Sequence, residues 1–331
     1  MMQSGTQRLE AWVARTAGAE RAAVTRLDPV TGGAGRETWW VDLDLRGGNR
    51  PGAVAAVLRA DGAGATAVGH DALRAFTVMD AAHRAGAAAP EPLWHCPDDS
   101  VLGRPFHLRA RIAGRPLDGE AESAVCLAPT LAATLARLHA VTPPRPDLDL
   151  PPPADAGPVP SAIADVRAWL DARATPRPAL EWGLRWLERN GPPGGTGAPV
   201  RLVHGDLHPD NVLVGPDGEL AGLIGWDHAG WGDPREDLGA LAAAWDGAAG
   251  ESVRDALARA YAEASGRPVD AAALVYWEVL ALVRRAARLA GRAEGFRADA
   301  GHPGAALALG LAGHAVPALE EAILHRTERD L

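Results

Sequence analysis

The sequence predicts an α+β protein of two lobes, a small β-rich one followed by a larger, mostly helical one. Two observations carry that reading. Strand-like apolar runs cluster before residue 112, whereas helical spacing dominates after it. A single hairpin signal, residues 211–226, interrupts the helical half directly after a polar loop. The expected lobes are 1–112 and 113–331, and a chain of this length can give each its own core.

Apolar spacing predicts a first helix over residues 5–24. Leu27–Val30, a glycine-rich turn at 31–35 and Thr38–Leu43 then read as strand, tight turn, strand. Ala53–Arg59 gives a third strand, and Asp71–Arg84 a helix with Leu73, Phe76 and Met79 inward. Leu93-Trp94 and Pro105–Ile112 complete a mostly antiparallel sheet. Gly114 and Pro116 mark the change of pattern. Helices are expected over 127–138, 161–172, 180–190, 237–245, 253–265 and 271–290. The Pro- and Asp-rich segment 142–160 and the Gly/Pro segment 191–199 read as surface loops.

The formal net charge of -9 argues against nucleic acid and anionic membranes as partners. Residues 301–319 lack charge, but Gly301, Pro303, Gly310, Gly313 and Pro317 argue against a membrane span. With no charged-then-apolar leader, a soluble cytoplasmic protein is expected. Cys96 and Cys126 have no metal-ligand spacing. Asp246, Glu278 and Glu294 read as a solvated acidic surface. The chain contains no lysine, so any phosphate grip must use arginine, backbone N–H groups or metal. No pattern specifies an oligomeric state.

The most informative segment is His-Gly-Asp-Leu-His-Pro-Asp-Asn-Val-Leu-Val at 204–214. It places His204, Asp206 and Asn211 in the H-x-D-x-x-x-x-N frame of kinase catalytic loops. In that frame Asp accepts the proton of a substrate hydroxyl and Asn holds magnesium. The chain has only three asparagines, which makes a chance match rare. An H-x-D-x-H zinc site at 204–208 is a weaker alternative, because Asn211 and the flanking residues favour the kinase frame.

Together with Gly32-Gly33, Val57-Leu58-Arg59, Trp94, Gly103–Phe106, Leu184–Glu188, Gly232-Asp233-Pro234, Asp237-Leu238 and 261–270, this segment resembles a known family. The chain is similar to the aminoglycoside phosphotransferase and choline kinase group, nearest the branch with the kinase-like domain of certain acyl-CoA dehydrogenases. The resemblance implies a protein-kinase-like fold, ATP and magnesium as cofactors, and a small-molecule hydroxyl as acceptor. Gly32, Gly33, Ala34 and Gly35 would lie over the phosphates. Arg59 stands where kinases keep a phosphate-binding lysine. Asp206 would be the base, His204 a catalytic-loop residue acting through hydrogen bonds, and Asn211 a magnesium ligand. His208 stays open between structural and substrate-facing roles, and Asp237 is expected to support the loop.

Two departures matter. The family's metal-bridging Asp after the hairpin is Gly225 here, within Leu223-Ile224-Gly225-Trp226-Asp227. Losing ~4 kcal/mol of charge neutralisation would slow transfer about a thousandfold. Asp227, two residues on, is the expected replacement ligand, and turnover in Gly225→Asp tests whether the site is otherwise intact. The N-lobe helix glutamate that holds the phosphate-binding cation is Ala75. Three readings therefore stand: a small-molecule phosphotransferase, an impaired kinase-like binding or regulatory protein, and a peptide Ser/Thr kinase of natural-product modification.

Overall fold

The computed structural model describes residues 2–30, 36–61, 72–151, 157–173, 175–192, 199–298 and 305–328. Helix α1 (Met2–Thr16) buries Leu9, Trp12 and Val13. It is shorter than its apolar spacing predicts. Gly18 adopts a left-handed φ of 62°, and the alanine-rich continuation becomes β1 (Arg21–Pro29). Pairing of Ala22 with Leu45 and Val24 with Leu43 overrides the helical propensity of that stretch.

Strands β1, β2 (Arg36–Arg46), β3 (Gly52–Asp61), β4 (Pro92–Cys96) and β5 (Phe106–Ala110) form one antiparallel sheet in the order β1-β2-β3-β5-β4. One face packs on α1 and on the short α3 (Asp99–Leu102), with Trp12 edge-on to Phe106 at 4.9 Å. This core runs from Leu9 to Leu108. Helix α2 (Ala72–Arg84) belongs elsewhere: Val78, Met79, Ala81 and Ala82 join the core of the helical half. Met79 points inward as expected, but Leu73 is 40% exposed, and Ala72 and Ala75 are buried instead. The inward stripe is thus set by small residues, which lets α2 approach the second lobe closely.

The second core is built by α4 (Ala121–Leu138), α5 (Pro158–Asp171), α6 (Pro178–Asn190), α7 (Arg235–Ala242), α8 (Gly247–Ser265), α9 (Leu274–Ala298) and α10 (Ala305–Thr327). Helix α10 was not expected from the apolar spacing. It packs on α9 and α6, with Ile323 fully buried. Among the described residues no helix is long and apolar enough to cross a membrane. Five short strands frame the polar loop. β7 (Arg201–Val203) pairs with β10 (Gly230–Gly232), and β8 (Val212–Val214) lies between β6 (Arg115–Pro116) and β9 (Leu220–Leu223). Residues 204–211 are therefore fastened at both ends by β pairing.

Candidate active site

The loop between β7 and β8 is tied down by a buried acid. Asp237, the third residue of α7, is fully buried and accepts from the backbone N–H groups of His204 (2.8 Å) and Gly205 (2.9 Å). His139 Nε2 lies 3.1 Å from the same carboxylate, and Tyr261 Oη lies 2.8 Å from His139 Nδ1. Burial alone would raise the Asp237 carboxyl, but the hydrogen bond and charge of His139 and the amide of His204 hold it below the ordinary value. Gly205 has φ 73°, and a Cβ there would overlap the His228 carbonyl, so the turn requires glycine.

His204 is fully buried. Its Nε2–H donates to Ile224 O at 2.8 Å, and its Nδ1 faces the Asp206 N–H at 3.4 Å. Those bonds fix the neutral tautomer, and burial pushes its pKa down. His204 thus holds the Ile224–Gly225 turn to the loop and has no path to a substrate. The zinc alternative fails for the same reason, since both ring nitrogens are occupied, and no group of three His, Cys, Asp or Glu among the described residues could hold a metal.

Asp206 retains 18% side-chain exposure and lines a cavity of about 300 Å³. Arg288 of α9 donates to its Oδ1 at 2.5 Å, and His208 Nε2 lies 3.7 Å from Oδ2. Burial works to raise the Asp206 carboxyl, yet Arg288, His208 and His228 together hold it well below the usual range. Arg288 is itself pushed down to about 10, chiefly by burial. Arg284 and Arg285 line the same cavity; the first bonds Glu236 at 2.7 Å, the second Asp210 at 3.4 Å.

Asn211 Nδ2 donates to Asp206 O at 2.8 Å, which fixes the side chain. Gly225 has φ 84°, and a Cβ there would lie 2.6 Å from Asn211 Cγ. The Asn211 carboxamide thus fills the space that a side chain at 225 would need. Asp227, expected as a magnesium ligand, instead accepts from Arg59 Nη1 at 2.8 Å, with both side chains about 15% exposed. Arg109 lies beside them on β5, 7% exposed and pushed down to about 9 by burial and by Arg59, against the pull of Asp227. Ala75 and Met79 line the same narrow crevice. These side chains do not fit a protein-held magnesium. The carboxylate position is a glycine, which offers no side-chain oxygen, and the nearest acid in sequence, Asp227, is paired with a cation.

The structure brings together Asp206, His204 and Asn211 as one loop, and Arg59 with Asp227 across the crevice. Gly32, Gly33, Ala34 and Gly35 lie outside the described residues. His208 lines the cavity beside Asp206. Three acids do not form the expected solvated surface as a set: Glu278 is fully buried between Arg254 and Arg326, Glu294 pairs with Arg173, and Asp246 caps α8. Sequence reasoning missed Arg109, Arg284, Arg285 and Arg288. The spacing of Arg284, Arg288 and Arg292, four residues apart, was a readable signal for one helical stripe.

The sequence profile of the phosphotransferase enzyme family matches residues 26–273. Acyl-CoA dehydrogenase family member 11 of Gallus gallus is 33% identical over 183 residues, which is 51% of this chain and 22% of that protein. The chain therefore spans about a fifth of that relative's length. An aminoglycoside phosphotransferase from Ralstonia eutropha, known from its crystal structure and assigned that activity provisionally, superimposes with a TM-score of 0.70 at 20% identity, over 98% of both chains. A thermostable aminoglycoside phosphotransferase mutant, solved as a ternary complex with ADP and hygromycin B, gives a TM-score of 0.56 at 18% identity, over 95% of this chain and 98% of that one. The fold is that of the protein-kinase-like phosphotransferases. This chain belongs to the phosphotransferase enzyme family.

Proposed function

From that membership we propose that the protein transfers the γ-phosphoryl group of ATP to a hydroxyl of a small molecule, with Asp206 as the base. The observation that carries this reading is the partly exposed Asp206 carboxylate on the wall of the 300 Å³ cavity. The acceptor oxygen forms the new P–O bond, the bond from the γ-phosphorus to the β–γ bridging oxygen breaks, ADP leaves, and the hydroxyl proton passes to Asp206. Asp237 and His204 hold the loop so that little reorganisation is needed. Arg59, with Arg109 behind it, supplies the cationic side chains facing the phosphates. An ATP donor suits a cytoplasmic setting.

The cavity favours a small acceptor over a peptide. Its walls come from residues 205–208, α7, α9 and α10, and no described residue of 142–160 lines it. The mutant phosphotransferase bound to ADP and hygromycin B supports the same donor and acceptor classes.

One observation favours a second reading, a kinase-like protein that binds nucleotide without turnover. Asn211 fills the space at Gly225, and Asp227 is engaged by Arg59. ATP turnover with magnesium or manganese, wild type against Asp206→Ala, separates the two. Turnover that disappears in the variant supports transfer. Thermal stabilisation by ATP with no Asp206-dependent turnover selects the binding protein.

A further inference from the structure

Resting on the proposed reaction, the geometry of α9 points to an acceptor alcohol that carries an anionic group, held between Arg288 and Arg285. Three arginines line the cavity, at 284, 285 and 288, against two carboxylates, Asp206 and Glu236. Arg284 is engaged by Glu236 at 2.7 Å. Arg285 is only loosely engaged: its partner Asp210 sits 3.4 Å away and is 72% exposed, so water screens that pair. A ligand anion inside the cavity would meet Arg285 in a drier setting and compete well with Asp210.

Arg288 supplies a second reason. It is bonded to the proposed base, and a cation there stabilises ionised Asp206, opposing uptake of the hydroxyl proton. An acceptor anion that shares Arg288 weakens that hold when the hydroxyl is in place. Apart from His208 beside Asp206, the rest of the wall is largely apolar, including Leu207, Leu280 and Leu319, so a short hydrocarbon linker fits between hydroxyl and anion.

Calorimetric titration of the full chain without nucleotide tests this independently of catalysis. The probes are ω-hydroxyhexanoate, hexanediol monophosphate, hexanediol and ω-aminohexanol. At least one of the two anions is expected to bind about tenfold more tightly than the diol or the amine. The stronger of the two identifies the anion as carboxylate or phosphate monoester. Arg288→Gln and Arg285→Gln should each weaken the anion about tenfold. Arg285, at the cavity rim, keeps the test valid should Arg288→Gln fail to fold. Equal or tighter binding of the amine, no binding by either anion, or unchanged anion affinity in the variants overturns the inference. Phosphoryl transfer to a cationic alcohol would overturn it too, while leaving the proposed reaction intact.

Discussion

Arg59 Nη1 lies 2.8 Å from Asp227 Oδ2, in a crevice whose helix side is Ala75. The cation that a helix glutamate would hold is held from the opposite lobe. Arg109 feels the same carboxylate, so Asp227 serves two arginines.

That arrangement gives an asymmetric pair of variants. Asp227→Asn leaves Arg59 and Arg109 facing each other, at a cost of about 2–3 kcal/mol after discounting for partial exposure. Arg59→Met leaves Asp227 beside Arg109 and costs only about 1 kcal/mol. Urea unfolding of both variants should rank them in that order, and the reverse order would contradict the shared-acid arrangement.

Gly225 has become structural. Any larger residue meets a left-handed backbone and the Asn211 carboxamide, so Gly225→Ala should lose about 2–4 kcal/mol. Adding Asn211→Ala removes the overlap but not the backbone strain, and the double-mutant cycle should show coupling of about 1 kcal/mol. For the same reason Gly225→Asp should not raise turnover. Increased ATP turnover in that variant would show that Asn211 moves aside readily.

Much of this was legible because it is local. The H-x-D-x-x-x-x-N frame, the hairpin after it and the antiparallel strands before residue 112 are short-range patterns with strong turn signals. The true end of α1 was not, because alanine-rich residues 17–24 favour helix until Leu43 and Leu45 pair with them. Nor was the partner of Arg59, because which acid reaches it depends on how α2 and the 226–228 turn meet across the lobes. The acidity of Asp206 is likewise set by Arg288, some eighty residues away in α9, a contact that no local pattern encodes.

Asp237 anchors the loop through two buried N–H groups and His139. Asp237→Ala strands all three and should cost about 3–5 kcal/mol. Its carboxyl is held below the ordinary value, so the stability that it contributes is complete above the unfolded carboxylate range. That contribution is lost as pH falls toward the folded pKa. Unfolding free energies of wild type and variant, measured by urea titration, should converge as pH falls.

His208 behaves oppositely. Burial lowers its pKa, but the carboxylates of Asp206 and Asp210, 3.7 and 3.3 Å from its ring nitrogens, outweigh this and raise it. Its contribution is therefore complete below the unfolded value of about 6.5 and declines as pH rises through the folded pKa. The stability difference between wild type and His208→Gln should be largest at mildly acidic pH and shrink as pH rises through the folded pKa. A difference that grows with pH would contradict the Asp206–His208–Asp210 contacts.

The most direct measurement is single-turnover transfer of labelled γ-phosphate to an alcohol acceptor by wild type and Asp206→Asn, with the fold of the variant verified by its unfolding midpoint. The account predicts a phosphorylated alcohol in wild type, a rate about 10²–10⁴-fold lower in the variant, and nearly unchanged nucleotide binding. Transfer within a few fold of wild type in Asp206→Asn would contradict the assignment of Asp206 as the base.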